Sequence, residues 1–199
     1  MGGRSMHLTL GKALLLAALA LAAVATAFDC RRGLVPNWLT LSLLPLAPLL
    51  HAYGTRGTHG PFGLPGPVFG ALASLAGAFL CALVPYVMFR ASWMGGADVK
   101  LLATIGALLT PHYGLEAELF ALVLAAVFVP ARLAFDGRLL RAAWSAAKVA
   151  VRAPIDAARE RRLPQLPDEA FDTLRFSPFV LAGTAAAVLL SPLGPRIAP

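Results

Sequence analysis

Charge is what this chain has least of. Of 199 residues only 14% are Asp, Glu, Lys or Arg, against the roughly 25% of a soluble domain. With 58% hydrophobic residues and a mean hydropathy of +0.73, this deficit excludes an ordinary water-soluble globule. It leaves a polytopic membrane protein, read as a single membrane domain over residues 1–199. Cysteine is nearly as scarce. Cys81 lies inside an apolar run and Cys30 outside one, so no disulfide is expected between them, and no Cys-x-x-Cys pair exists to hold zinc. His7, His51, His59 and His112 are scattered without ligand spacing, so no metal site is expected and no cofactor is called for. Acidic residues number 10 against 17 basic ones, a net charge of +7. Nucleic-acid binding would need that excess gathered on a soluble face. It sits instead in loops between apolar runs, where an anionic membrane surface attracts it.

What the chain has in quantity is apolar runs. Stretches able to cross a core about 30 Å thick fall at roughly 8–28, 34–50, 67–89, 98–112, 115–134 and 177–194. They predict an all-α bundle of about six transmembrane helices. The fourth is short and begins with Asp98 and Lys100, so it is expected to pack in protein rather than face lipid. Arg4 and Lys12 around the start of the first run, with Ala25-Thr26-Ala27 near its end, imitate a secretory signal. The run exceeds the about 7–15 residues of such a signal's core, and a retained span is expected.

Basic residues orient the bundle. If the loop after Asp29 is cytoplasmic, only Arg4, Lys12, Arg56 and Arg196 fall outside, and the other 13 of the 17 fall inside. Such a bias places both termini outside and the Asp29 side in the cytoplasm. Between Gly54 and Pro67 glycine recurs every third residue, which reads as a flexible external turn. The loop 136–175 carries Leu139, Leu140, Ala143, Trp144, Ala147 and Val151 at helical spacing, with Arg141, Ser145, Lys148 and Arg152 opposite, before Pro154 breaks the pattern. This predicts a basic amphipathic helix, lying on the anionic inner leaflet or packed, solvated, on the bundle.

Two aspartates stand against this background. Asp29 ends the first run and opens Asp29-Cys30-Arg31-Arg32-Gly33-Leu34-Val35-Pro36-Asn37-Trp38-Leu39-Thr40; Asp98 lies in Gly95-Gly96-Ala97-Asp98-Val99-Lys100, at the start of another run. A carboxylate at membrane depth is costly and faces a cavity, a partner or a substrate. Two at one membrane face could share a proton, which is the chemistry of an aspartic peptidase.

The residues around both aspartates resemble the type IV prepilin peptidase family, integral-membrane aspartic peptidases of the Gly-x-Gly-Asp class. Val35-Pro36-Asn37-Trp38-Leu39-Thr40 stands where that family has its Ile/Val-Pro-Asn-x-Leu-Thr run, and Asp98 with Lys100 fits Gly-x-Gly-Asp-x-Lys, with Ala97 in place of a glycine. Arg175-Phe176-Ser177-Pro178-Phe179 is similar to the start of the family's last span. The resemblance implies Asp29 and Asp98 as catalytic residues. It implies prepilins or pseudopilins as substrates, cut at the cytoplasmic face of a bacterial inner membrane, with pilus assembly or secretion machinery as a possible partner. Longer relatives carry a cysteine-rich zinc segment and also N-methylate the product. Its absence here points to the short, peptidase-only branch of the Flp (tight-adherence) type.

The chemistry assigns supporting parts. One carboxylate must be ionised to take a proton from water and the other protonated to polarise the scissile carbonyl; which aspartate does which stays open. Gly95 and Gly96 are expected to permit close backbone approach and relieve a turn before a helix. Lys100 could pair with a carboxylate, bind lipid phosphate, or simply anchor the span. Pro36 is expected to set the start of the second helix, and Asn37 to cap it or bond the Asp29 loop. Two other readings remain open: an intramembrane protease resembling signal-peptide peptidase, and a small proton-coupled transporter.

Overall fold

The structure is a computed structural model and describes residues 2–91, 94–137, 140, 144 and 175–190. Among these residues five α-helices form: α1 (Gly2–Arg32), α2 (Asn37–Gly54), α3 (Gly66–Arg90), α4 (Gly96–Phe135) and α5 (Ser177–Leu190). The described residues form no strand, only an isolated bridge between His59 and Pro65. The all-helical expectation holds.

Three stretches are long and apolar enough to cross a bilayer: Leu10–Arg32, Gly66–Arg90 and Gly96–Phe135. The 25 residues of α3 reach about 37 Å at 1.5 Å per residue, more than the roughly 30 Å required. Six separate crossings are not supported. α5 has only 14 residues, about 21 Å of helix; α2 has 18, interrupted by Pro45 and Pro48. The fourth and fifth expected spans are two arms of α4. The expected interfacial helix falls in the loop 136–175, nearly all of it outside the described residues.

α4 bends at Thr110, whose φ of 64° and ψ of 173° leave the helical region just before Pro111. The bend lays one arm on the other. A Cβ on Gly114 would stand 2.9 Å from the Cα of Gly106, whereas eight residues of straight helix would separate the two by about 12 Å. In a continuous helix the Ala107 carbonyl would bond the N–H of residue 111, which proline lacks. The Ser74 hydroxyl of α3 donates to that carbonyl instead, at 2.8 Å. His51 Nε2 of α2 donates to the next carbonyl, Leu108, at 3.1 Å. Broken helical backbone inside a membrane protein is tolerated where neighbouring helices satisfy it in this way.

The packing is that of a membrane bundle. α3 turns Gly66, Gly70, Ser74, Gly77, Cys81 and Pro85 inward and leaves Leu72, Leu75, Phe79, Leu83 and Val87 exposed. Small residues bring helix backbones together where lipid, not water, covers the outer face. At Gly77 a Cβ would meet the Gly106 carbonyl oxygen at 2.2 Å, so α3 and the first arm of α4 touch backbone to backbone. That arm is the centre of the bundle: Leu101, Leu102, Ile105 and Leu108 are no more than 2% exposed. The fourth segment is therefore protein-packed, as its charged start predicts. α1 covers it with Leu14, Ala18, Leu21, Ala22 and Ala25, a stripe at helical spacing.

The turn between α2 and α3 is built, not loose. Thr55 is buried and its hydroxyl donates to the Gly66 carbonyl at 2.7 Å. The Gly66 N–H returns to the Thr58 carbonyl at 2.9 Å, around a 3₁₀ turn at Pro61–Gly63. The flexible turn expected from the glycine rhythm is thus corrected. Gly54, Gly60 and Gly66 stand where a Cβ would collide with neighbouring atoms, whereas Gly57 and Gly63 have open space and supply φ of +79° and +74°.

Candidate active site

The end of α1 and the starts of α2, α4 and α5 meet at one end of the bundle. α1 stops at Arg32 because Gly33 takes a left-handed φ of +68°, a conformation cheap only for glycine. The Gly33 N–H still reaches back to the Asp29 carbonyl at 2.9 Å. Asp29 therefore sits in the last turn, half-buried. The last turn of a helix offers unpaired carbonyls rather than donors, so hydrogen-bond donors to this carboxylate must come from elsewhere.

The compensating donors come from the far end of the chain. Ser177, the first residue of α5 and fully buried, donates its hydroxyl to Asp29 Oδ2. Arg175 donates its guanidinium to the Asp29 main-chain carbonyl. A hydrogen bond to a charged group contributes roughly 1.5–3 kcal/mol. The junction is fastened once more by Thr26, whose hydroxyl donates to the Ser177 carbonyl at 3.0 Å. Cys30, Arg31 and Arg32 are exposed beside this junction, and Arg32 covers the Phe28 ring at 5.5 Å.

Asp98 faces Asp29 from α4. It lies in the first turn, half-buried, and close enough that the charge of Asp29 acts on it. Gly95 precedes the helix with an extended φ of −73° and ψ of 145°, which any residue adopts. The expected relief of turn strain is absent; a Cβ at Gly95 would instead stand 3.4 Å from Asp98 Oδ2. Gly96 lies against the Phe89 ring, 3.3 Å from where its Cβ would be. Ala97 is helical and packs on the core, so a methyl is accommodated where the related motif has glycine.

The remaining motif residues hold α2 against α4. Pro36 stands just before α2, with φ −63° and ψ 132°. Asn37 does not cap that helix. Its Oδ1 accepts from Lys100 Nζ at 2.9 Å, so Lys100 has a neutral partner rather than a carboxylate. One turn on, the Thr104 hydroxyl donates to the Thr40 carbonyl at 3.3 Å and to the Lys100 carbonyl at 2.7 Å. The two motifs read separately in the sequence are thus one structural unit.

Four polar residues escape sequence reading. Ser177, Arg175 and Thr26 act on Asp29 or its junction across about 150 residues of chain; the only sequence hint is a hydroxyl and a guanidinium at the head of the last apolar run. Glu118 lies in the second arm of α4, 3% exposed, with neither carboxylate oxygen hydrogen-bonded among the described residues. The Cys81 thiol, a weak donor, is beside it. A carboxylate inside an apolar run is itself a signal, and Glu118 carries it.

A helical membrane bundle with two interacting aspartates at one end, each at a helix terminus, defines a class of intramembrane carboxylate proteins. Within that class the assignment is direct. The model of the type IV leader peptidase family matches residues 14–130, more than half of the chain, and the chain belongs to that family. The family is one of proteases that act on prepilins. No significant match was found among curated proteins or solved structures. The matched stretch contains both aspartates and ends before Arg175 and Ser177.

Proposed function

We propose that the protein is an aspartic endopeptidase that removes the short basic leader of type IV prepilins, of the Flp type, at the cytoplasmic face of the inner membrane. The observation that supports this reading is that Asp29, in the last turn of α1, and Asp98, in the first turn of α4, lie at one end of the bundle, where the charge of Asp29 acts on Asp98. Two carboxylates so placed resist joint ionisation and hold one proton between them. The ionised member takes a proton from water as it attacks the scissile carbonyl. The protonated member donates to the carbonyl oxygen; as the C–N bond breaks, the proton taken from water passes to the leaving amine and the tetrahedral hydroxyl returns its proton to the pair. A prepilin keeps its basic leader in the cytoplasm and its apolar helix in the bilayer, so the bond to be cut lies at the depth of the pair. Arg31 and Arg32 favour the same side by the charge bias. N-methylation of the product is not expected.

Purified protein in detergent, given a synthetic prepilin spanning leader and apolar helix, should cut it once at the leader boundary without ATP. Chelators should leave the rate unchanged, because the carboxylates themselves activate water. Activity should fall at acid pH, where both carboxyls carry protons, and at alkaline pH, where the shared proton is lost. Loss of cutting on chelation would sink the aspartic mechanism. No cutting, with proton flux in liposomes abolished by Asp98→Asn, would return the transporter reading. The orientation has its own check. An impermeant thiol reagent added to intact cells should label Thr58→Cys and spare the exposed native Cys30.

A further inference from the structure

We propose that Ser177 is a positioning residue of the reaction, clamping the Asp29 carboxylate from the last helix so that the pair is complete only when α5 is docked. This rests on the peptidase reading above. Three observations carry it. The Ser177 hydroxyl donates to Asp29 Oδ2 from 148 residues away. Ser177 is fully buried and its own carbonyl is held by Thr26 of α1, so the hydroxyl is aimed by a fixed backbone rather than swinging free. Arg175 binds the main-chain carbonyl of the same aspartate, which fixes the residue at both its backbone and its side chain. Among the described residues no bond from α2 or α3 to Asp29 does this work; the clamp belongs to Arg175 and the start of α5.

The consequence is chemical. An aspartate at a helix end has two free side-chain torsions and little to hold them. Catalysis by a carboxylate pair needs both groups within hydrogen-bond reach of one water and one carbonyl, and misplacement by about 1 Å can cost on the order of a hundredfold in rate. The bond from Ser177 to Oδ2 fixes the plane of the Asp29 carboxylate. Among the described residues, the charged and titratable groups beside Asp29 are Cys30, Arg31 and Arg32 on its own helix, Arg175 before α5, and Asp98 on α4. Lys100 is engaged with Asn37.

The test is Ser177→Ala in the full-length protein, with cleavage of a synthetic prepilin measured across pH. The alanine keeps the main-chain bond from Thr26 and removes only the hydroxyl. The expected result is a kcat lower by roughly ten- to a hundredfold, a KM within about twofold, and a melting temperature in detergent close to the parent's. Ser177→Thr, which retains the hydroxyl, should recover most of the rate. A donated hydrogen bond favours the ionised form of the pair, so losing it should shift the pH profile toward higher pH, its limits belonging to the coupled pair rather than to one aspartate. An unchanged kcat, or a loss that tracks a lowered melting temperature with both limbs unmoved, would overturn the proposal. Failure of the unaltered protein to cut any prepilin would overturn the peptidase reading instead, so the two failures are told apart.

Discussion

Two regions of this bundle hold buried acid, and they hold it in opposite ways. At the mouth, Asp29 and Asp98 are half-buried at helix ends, and Asp29 has donors from Ser177 and Arg175. In the interior, Glu118 is 3% exposed between α3 and the second arm of α4, with neither oxygen hydrogen-bonded among the described residues and only the Cys81 thiol beside it. The mouth has access, a partner charge and fixed geometry. The interior has burial alone. Burial of an ionised carboxylate without donors costs several kcal/mol, so the interior site is suited to a neutral group and to packing. On the proposed reading the reactive acids are the pair with donors and a partner charge, not the most deeply buried carboxylate.

The largest effect that would test this contrast is at the mouth. Asp29→Asn or Asp98→Asn keeps size and removes the shared proton, so prepilin cleavage should fall by about 10⁴-fold or more, while immunoblots show wild-type protein levels in the membrane. Substantial processing by either variant would erase the distinction between the two regions.

Interior substitutions should act on stability and spare chemistry. Gly77→Ala forces a methyl to 2.2 Å from the Gly106 carbonyl oxygen, with backbone on both sides and nothing flexible to yield. Overpacking of this kind should lower the melting temperature in detergent by roughly 5–10 °C. A smaller loss is expected from Ser74→Ala. It strips the Ala107 carbonyl of its donor where Pro111 cannot replace it, for about 1–3 kcal/mol, read in the same melt.

The smallest expected effect sharpens the comparison most. Glu118→Gln is isosteric and uncharged. It should leave prepilin processing within about twofold of the parent's. Loss of cleavage in Glu118→Gln with an unaltered melt would make the interior carboxylate part of the chemistry, and the contrast drawn here would fail.

Much of the architecture was legible because it is local. Membrane burial is written in runs of apolar residues, and turns in Gly33, Pro36 and Gly66. The two aspartates announce themselves, since a charge beside an apolar run has few innocent explanations. The protein-packed character of the fourth segment also follows from the charges that begin it. The count of crossings did not follow. A run of apolar residues gives its length but not whether it continues, bends or stops, and the bend at Thr110–Pro111 depends on Ser74 and His51 arriving from other helices to satisfy the exposed carbonyls.

The sequence by itself determined the solvent of this protein, its helical class, the two motif aspartates and the family they resemble. Those properties depend on composition and on spacing within a single segment. The tertiary structure alone decided that Ser177 and Arg175 serve Asp29, that Asn37 answers Lys100 instead of capping its own helix, and that Glu118 is sealed against Cys81. Each of these depends on how far a helix is turned about its axis against its neighbours. In a membrane, where the lipid-facing side is as apolar as the core, no water-facing stripe fixes that rotation. It is set by the close contact of small residues such as Gly77 and Gly106, which only the folded bundle brings together.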